Sequence, residues 1–209
     1  PPSLGTVPGP GTVPELGTVP GPGAGSEDAC PVTLGWIGSA STMNYLKSIE
    51  RPLRRAAERV AADTDVRLKI VSDRFPDLDI GMPLERKPWS LEEQADDLRS
   101  FDIGLMPLAD DDWSRGKCAF KLVQYGAVGR PSVAHPVGAN ATVVEHGVTG
   151  LLAQDDDAWT QALVTLINDS AARRRMGQAA RRRIVEHYSA SAWGERYAAS
   201  IREAIERTT

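Results

Sequence analysis

From residue 31 onward the chain alternates short apolar runs with longer amphipathic stretches. Pro31-Val-Thr-Leu-Gly-Trp-Ile37 reads as a strand, and Gly38-Ser-Ala-Ser-Thr42 follows it as a tight turn of small residues ending in good helix N-caps. Met43 to Ile49 is then helical, and Pro52, tolerated in a first turn, opens a second helical piece through Leu53 to Ala62. Val66 to Ser72 (VRLKIVS) alternates as a strand does, and Leu84 to Lys87 is a shorter strand. Trp89 to Leu98 reads as a helix with Ser90 as N-cap and Glu93 completing a capping box, before a strand over Phe101 to Leu108. Gly116 to Gly129 (GKCAFKLVQYGAVG) reads as a helix that stops at a Gly-x-Pro break, followed by a strand over Arg130 to His135. Pro136 to Thr142 is a second loop of small residues feeding a short helix through Glu145, and Gly147 to Ala153 is an edge strand. Helices over Asp155 to Ile167, Ser170 to His187 and Ser189 to Arg207 end the chain, each with Asp or Ser near its start. This alternation predicts an α/β fold: a Rossmann-like parallel sheet with helices on both faces, plus C-terminal helices.

The first 29 residues break the pattern. LGTVPGPG occurs at Leu4 to Gly11 and again at Leu16 to Gly23, with few large side chains to bury, so residues 1–29 are expected to be a disordered Pro/Gly-rich tail and residues 30–209 the folded domain. Composition fits one sizeable core: 209 residues, 41% hydrophobic and 25% charged. The net charge of -4 gives no general attraction to nucleic acid. Charge is unevenly spread, with nine Arg against four Glu from Ala171 to Thr209. Cys30 and Cys118 suggest neither a disulfide framework nor a zinc site and fit a reducing cytosol; there is no apolar run of membrane-spanning length and no export signal.

Lys117 and Lys121, four residues apart, would share one helix face at the carboxyl end of a strand, where open α/β sheets bind ligands. The small residues of the turn from Gly38 to Thr42 would let a ligand phosphate approach backbone N–H groups at the start of the next helix, or would simply cap that helix. That turn carries no Gly-x-Gly-x-x-Gly or Walker pattern. Asp110, Asp111 and Asp112 are read as a loop rather than a metal site, and His135 and His146 as structural. Arg173 to Arg175 and Arg181 to Arg183 read as a solvated face, with contact to an anionic membrane or lipid-linked acceptor as the competing idea.

The segments DIGLMPL, WSRGKCAFKLVQYGAVGRPSVA, PVGAN and VVEHGVTGLLA between Phe101 and Ala153, together with the opening GWIGSAST and NYL, resemble the carboxy-terminal, donor-binding domain of retaining glycosyltransferases of family 4, which have the two-domain GT-B fold. The resemblance covers about residues 32–205. It implies one half of a GT-B fold, a nucleotide-sugar as donor substrate, no cofactor, independence from metal, and an acceptor domain supplied in cis or in trans. In the family a helix at this place usually carries two glutamates, one touching the donor sugar and one the ribose; counted back from Gly129-x-Pro131, those places fall at Gly116 and Gln124, and neither is an acid. Lys117 and Lys121 would then neutralise the diphosphate, Gly38, Ser39 and Thr42 from the first loop and Gly138, Ala139 and Asn140 from the later one would face the phosphates, Gln124 would reach the ribose, and Lys87 to Trp89 would lie where the base is read. Tyr188 to Ile205 resembles the last helix of GT-B enzymes, with Trp193, Tyr197 and Ile201 as a docking stripe. Three readings remain open: half of a glycosyltransferase, a stand-alone nucleotide-sugar-binding module, and an interaction protein.

Overall fold

The computed structural model describes residues 31–60 and 64–207; the Pro/Gly repeat and the end of the helix expected through Ala62 lie outside the described residues. Six parallel strands form one sheet: β1 (Val32–Ile37), β2 (Val66–Ser72), β3 (Leu84–Pro88), β4 (Ile103–Met106), β5 (Ser132–Ala134) and β6 (Gly150–Leu152). Their spatial order is β3-β2-β1-β4-β5-β6. That is the doubly wound order, whose reversal point lies between β1 and β4. Every residue of β1 is buried, because both of its faces are covered.

One face of the sheet packs against α1 (Met43–Lys47), α2 (Glu50–Val60) and α7 (Asp156–Asn168), through Leu34, Trp36, Leu68 and Ile70 meeting Leu46, Leu53, Trp159 and Leu163. The other face carries α3 (Gln94–Arg99), α5 (Phe120–Ala127), α6 (Asn140–Val143) and α8 (Ser170–Tyr188), around Ile37, Val71, Met106, Phe101 and Tyr125. Glycines in the central strands let these layers close. A Cβ on Gly35 would overlap the Phe101 ring, and one on Gly104 the Tyr125 ring.

Several expected boundaries shift. Three strands and the edge strand are shorter than their apolar runs, and the Trp89–Leu98 helix begins at Gln94 after a turn in which Ser90 Oγ accepts from Glu93 N at 3.2 Å. The last helices begin where the side chains say they should. Asp155, Asp169 and Ser189 each accept a backbone N–H three residues on, at 2.9, 2.7 and 3.1 Å.

The arginine-rich helix α8 is the main correction. Arg174, Arg175 and Arg182 are exposed as expected, but the other three are not a solvated face: Arg173 donates to the Leu166 and Ile167 carbonyls, Arg181 to the Ala127 carbonyl, and Arg183 to the Thr142 and Val143 carbonyls. Those are the last carbonyls of α7, α5 and α6, which lack intrahelical partners and carry the negative end of the helix dipole. One helix thus caps three others. Arg183→Ala is expected to lower the unfolding free energy by about 1–3 kcal/mol, since it strands two carbonyls, and a chemical denaturation curve with an unchanged midpoint would contradict this.

Helix α9 (Ala190–Glu206) has no buried residue, and Trp193, Tyr197, Ile201 and Ile205 stand exposed along it. The stripe read from the sequence is therefore present.

Candidate functional site

Three loops leave the carboxyl ends of neighbouring strands β1, β4 and β5 and meet over the reversal point. After β1, a 3₁₀ turn (Ala40–Thr42) leads into α1. Gly38 lies against Trp36: a Cβ there would come within 2.6 Å of the indole ring and 2.9 Å of Thr42 Oγ1. The Gly38 amide donates to Val71 O at 3.1 Å, so the sheet occupies it. The Thr42 hydroxyl turns inward to Ser39 O at 3.0 Å, whereas the Ser39 and Ser41 hydroxyls pair with each other at 2.8 Å on the surface.

After β4 the chain forms α4 (Asp112–Arg115) and then α5. The three consecutive aspartates have local jobs. Asp111 caps α4 by accepting from Ser114 N at 2.7 Å, and Asp110 and Asp112 both engage Arg115. The helix expected to begin at Gly116 begins instead at Phe120, because Ala119 adopts a left-handed conformation (φ 54°) between α4 and α5. Lys117 therefore lies in the connecting turn, and the shared helix face is not what unites the lysines.

They converge all the same. Lys117 Nζ stands 4.0 Å from the centre of the Tyr45 ring, and Tyr45 Oη receives the Ser114 hydroxyl at 3.0 Å, tying α1 to α4. Lys121 Nζ stands 5.5 Å from the centre of the Trp36 ring. Ring faces hold a cation without neutralising it. Neither ammonium has a carboxylate within ion-pair distance among the described residues. Burial first, and then the Lys117 charge, push the Lys121 ammonium down to about 8.

After β5, Gly138 takes φ 54° and sits so close to α4 that a Cβ would approach Arg115 O to 2.6 Å. Ala139 is half-buried beside it. The Asn140 backbone amide, expected to face an anion, donates to Val137 O at 3.1 Å, and its buried side chain donates from Nδ2 to His135 O at 3.0 Å, supporting the loop from beneath. His135 is structural as expected. Leu108 N and Trp159 Nε1 point at its two ring nitrogens from 3.1 and 3.0 Å, and burial lowers its pKa, so the ring is neutral and accepts from one donor at a time. His146 likewise takes Leu152 N at 3.0 Å.

Gly116 is exposed at the end of α4, and Gln124 is half-buried in α5. Lys87 and Trp89 lie at the end of edge strand β3, about 10 Å from β1 at two strand spacings. Lys87 Nζ is bound to Asp97 at 2.7 Å and Glu93 at 3.3 Å, which raises its pKa. Trp89 is exposed, not a core anchor, with its indole N–H on Gln94 Oε1 at 2.9 Å. Sequence reasoning missed Trp36, Tyr45 and Asp73. The last accepts the Ala40 amide at 2.9 Å across 33 residues, a contact with no local signature.

The family model described as glycosyl transferases group 1 matches residues 31–169, well over half of the chain. The chain belongs to this family. Among solved structures, it is similar to HepE of Anabaena in complex with UDP-glucose (TM-score 0.67, 15% identity, covering 84% of this chain and 50% of that one). It is also similar to TarM of S. aureus in a complex that includes UDP (TM-score 0.62, 12% identity, 80% of this chain and 35% of that one). The C-terminal domain of the group 1 family protein LpcC from Francisella tularensis matches with TM-score 0.59 and 15% identity over 76% of this chain and 86% of that domain. Comparison with curated proteins finds no match. The expected fold, a Rossmann-like parallel sheet forming one half of a GT-B architecture, holds. The chain spans half or less of the HepE and TarM chains. Among the described residues no helix is long and apolar enough to cross a membrane.

Proposed function

We propose that the chain is the donor-binding half of a retaining, family 4 glycosyltransferase, which takes a sugar from a nucleoside diphosphate carrier and passes it to an acceptor held by a second domain, in the same or another polypeptide. One observation carries this reading: two ammonium groups with no carboxylate within ion-pair distance among the described residues, one of them half-buried, converge at the reversal point of a doubly wound sheet. An uncompensated buried charge is costly, and a diphosphate placed between the lysines supplies the missing anion. When the bond from the anomeric carbon to the β-phosphate oxygen breaks, the leaving diphosphate gains charge, and Lys117 and Lys121 are placed to neutralise it. They supply the positive charge that a metal ion supplies in other transferases, which supports a metal-independent and cofactor-free reaction. Gln124 is a candidate for a ribose or sugar hydroxyl through its amide, Gly116 for close backbone approach, and Lys87 with Trp89 for the base at the sheet edge. The UDP and UDP-glucose bound by HepE support a nucleotide-sugar as the ligand. The two cysteines, Cys30 and Cys118, which form no disulfide framework in the sequence, fit a cytoplasmic site of action.

The reading is tested by calorimetric titration of the chain with UDP, GDP and ADP. One of them is expected to bind with a stoichiometry of one, and silence from all three would refute a donor site. A second reading, a nucleotide-sugar-binding module without transfer, is favoured by the absence of an acid at Gly116 and Gln124. It predicts donor binding with no sugar release even when an acceptor domain is joined.

A further inference from the structure

The β1 side of the crevice already holds an anion of its own. Asp73, exposed immediately after β2, accepts the Ala40 amide at Oδ1 (2.9 Å), and the Ser72 hydroxyl approaches the same oxygen (3.2 Å). An amide held by a carboxylate is not available to a phosphate, and the Gly38 amide is already bound to Val71 O. The Ala40 N–H bond, ahead of smaller contributions, holds the Asp73 carboxyl below its usual range, so the group is ionised at neutral pH. A diphosphate arriving here would face a like charge. The β4 side adds two cations, Lys117 and Lys121, neither in an ion pair among the described residues, although Asp111 lies close enough to feel the Lys117 charge.

An ionised carboxylate only accepts hydrogen bonds, so its complementary ligand group is a hydroxyl. Adjacent ribose hydroxyls offer two donors at the spacing of two carboxylate oxygens. In sheets of this strand order, an acid near the carboxyl end of the second strand is well placed to bind a nucleotide ribose. Gly116 and Gln124 supply no carboxylate, and Asp110, Asp111 and Asp112 are committed to Arg115 and Ser114 N. Asp73 takes both of its contacts, from the Ala40 amide and the Ser72 hydroxyl, at the single oxygen Oδ1, and forms no ion pair among the described residues.

We propose that Asp73 is the ribose-binding carboxylate of the crevice, accepting from the vicinal ribose hydroxyls of the bound nucleotide while the diphosphate runs away from it toward Lys117 and Lys121. This inference rests on the nucleotide reading above. It reverses the polarity expected for the first loop: Gly38, Ser39 and Thr42 shape the turn, and the hydroxyl-binding group comes from β2.

The full chain and its Asp73→Asn variant are titrated with UDP, GDP and ADP, each beside its 2′,3′-dideoxy counterpart. Asparagine keeps an oxygen for the Ala40 amide but loses the charge, and an unchanged melting temperature verifies the turn. Removing the hydroxyls is expected to weaken binding to the wild-type chain about tenfold, and the preference is expected to vanish in Asp73→Asn. If the wild-type chain binds no nucleotide at all, the donor reading itself fails and this one with it. If the wild-type chain binds but ignores the hydroxyls, or Asp73→Asn keeps the preference, the ribose role alone is overturned. Equal tightening of ribo and dideoxy forms by Asp73→Asn overturns it too, because that result puts Asp73 against phosphate.

Discussion

Lys121→Met is expected to weaken nucleoside diphosphate binding about a hundredfold, roughly 3 kcal/mol, while making the domain more stable. The two effects have one cause. Burial and the neighbouring Lys117 charge bring the Lys121 ammonium to about 8, from an ordinary value of 10.5. Between those two values the unfolded chain holds a proton that the folded chain has released, so stability rises with pH across that window and the charged lysine costs stability below it. Methionine fills similar volume without charge, and a gain of about 1–3 kcal/mol at pH 7 is expected. Paired denaturation and calorimetry check both halves. A variant that loses stability and affinity together would show that Lys121 holds the fold, not the ligand.

The same proton makes donor affinity depend on pH. The terminal phosphate of a nucleoside diphosphate is ionised above about pH 7, so the ligand contributes little to the profile from there upward. Affinity should be flat to about pH 8 and fall above it as Lys121 loses its charge in the free protein. Lys117→Met should move that inflection upward, because it removes the second cause of the depression. An inflection unmoved by Lys117→Met would separate the two lysines.

Much of this is legible in the amino-acid sequence, for reasons that differ by element. β1 and β4 announce themselves because a strand buried on both faces is apolar along nearly its whole length, and β2 because its apolar residues alternate with Arg67 and Lys69. The starts of α7 and α9 are legible because an N-cap is a local contact between Asp155 or Ser189 and an amide three residues on. The convergence of Lys117 and Lys121 was anticipated for a reason that does not hold: the left-handed Ala119 splits the expected helix, and the lysines meet through Tyr45 and Trp36. No spacing rule encodes a ring contributed from 72 or 85 residues away. The capping by Arg173, Arg181 and Arg183 escapes a sequence reading for the same reason, since the carbonyls they cap belong to α5, α6 and α7, and only the assembled fold brings those helix ends together. Local patterns write the elements; partners distant in sequence write the site.

The Gly177→Ala substitution should lower stability by about 2–4 kcal/mol, although alanine is ordinarily the better helix former. Gly177 lies in the middle of α8, and a Cβ there would overlap the carbonyl oxygen of Gly129 and come within 3.0 Å of its carbonyl carbon and 3.4 Å of Pro131 Cδ. These are backbone and ring atoms that cannot rotate aside. Gly129 itself needs its positive φ of 72°, so the turn after α5 has one conformation to offer. Relief must come from α8 moving off α5, which also strains the Arg181 contact to Ala127 O and the packing of Ile184 over Gly126. Because α5 carries Lys121, the displacement should reach the site: diphosphate affinity is expected to fall by several-fold even at temperatures where the variant is fully folded. Gly194→Ala is the control. It also replaces a helical glycine, but its Cβ would meet nothing within 4 Å, so stability there should rise by about 0.5–1 kcal/mol through helix propensity alone. Opposite signs at the two positions would place the effect in the α5–α8 crossing; a loss at both would mean that backbone freedom, not close approach, is what Gly177 supplies.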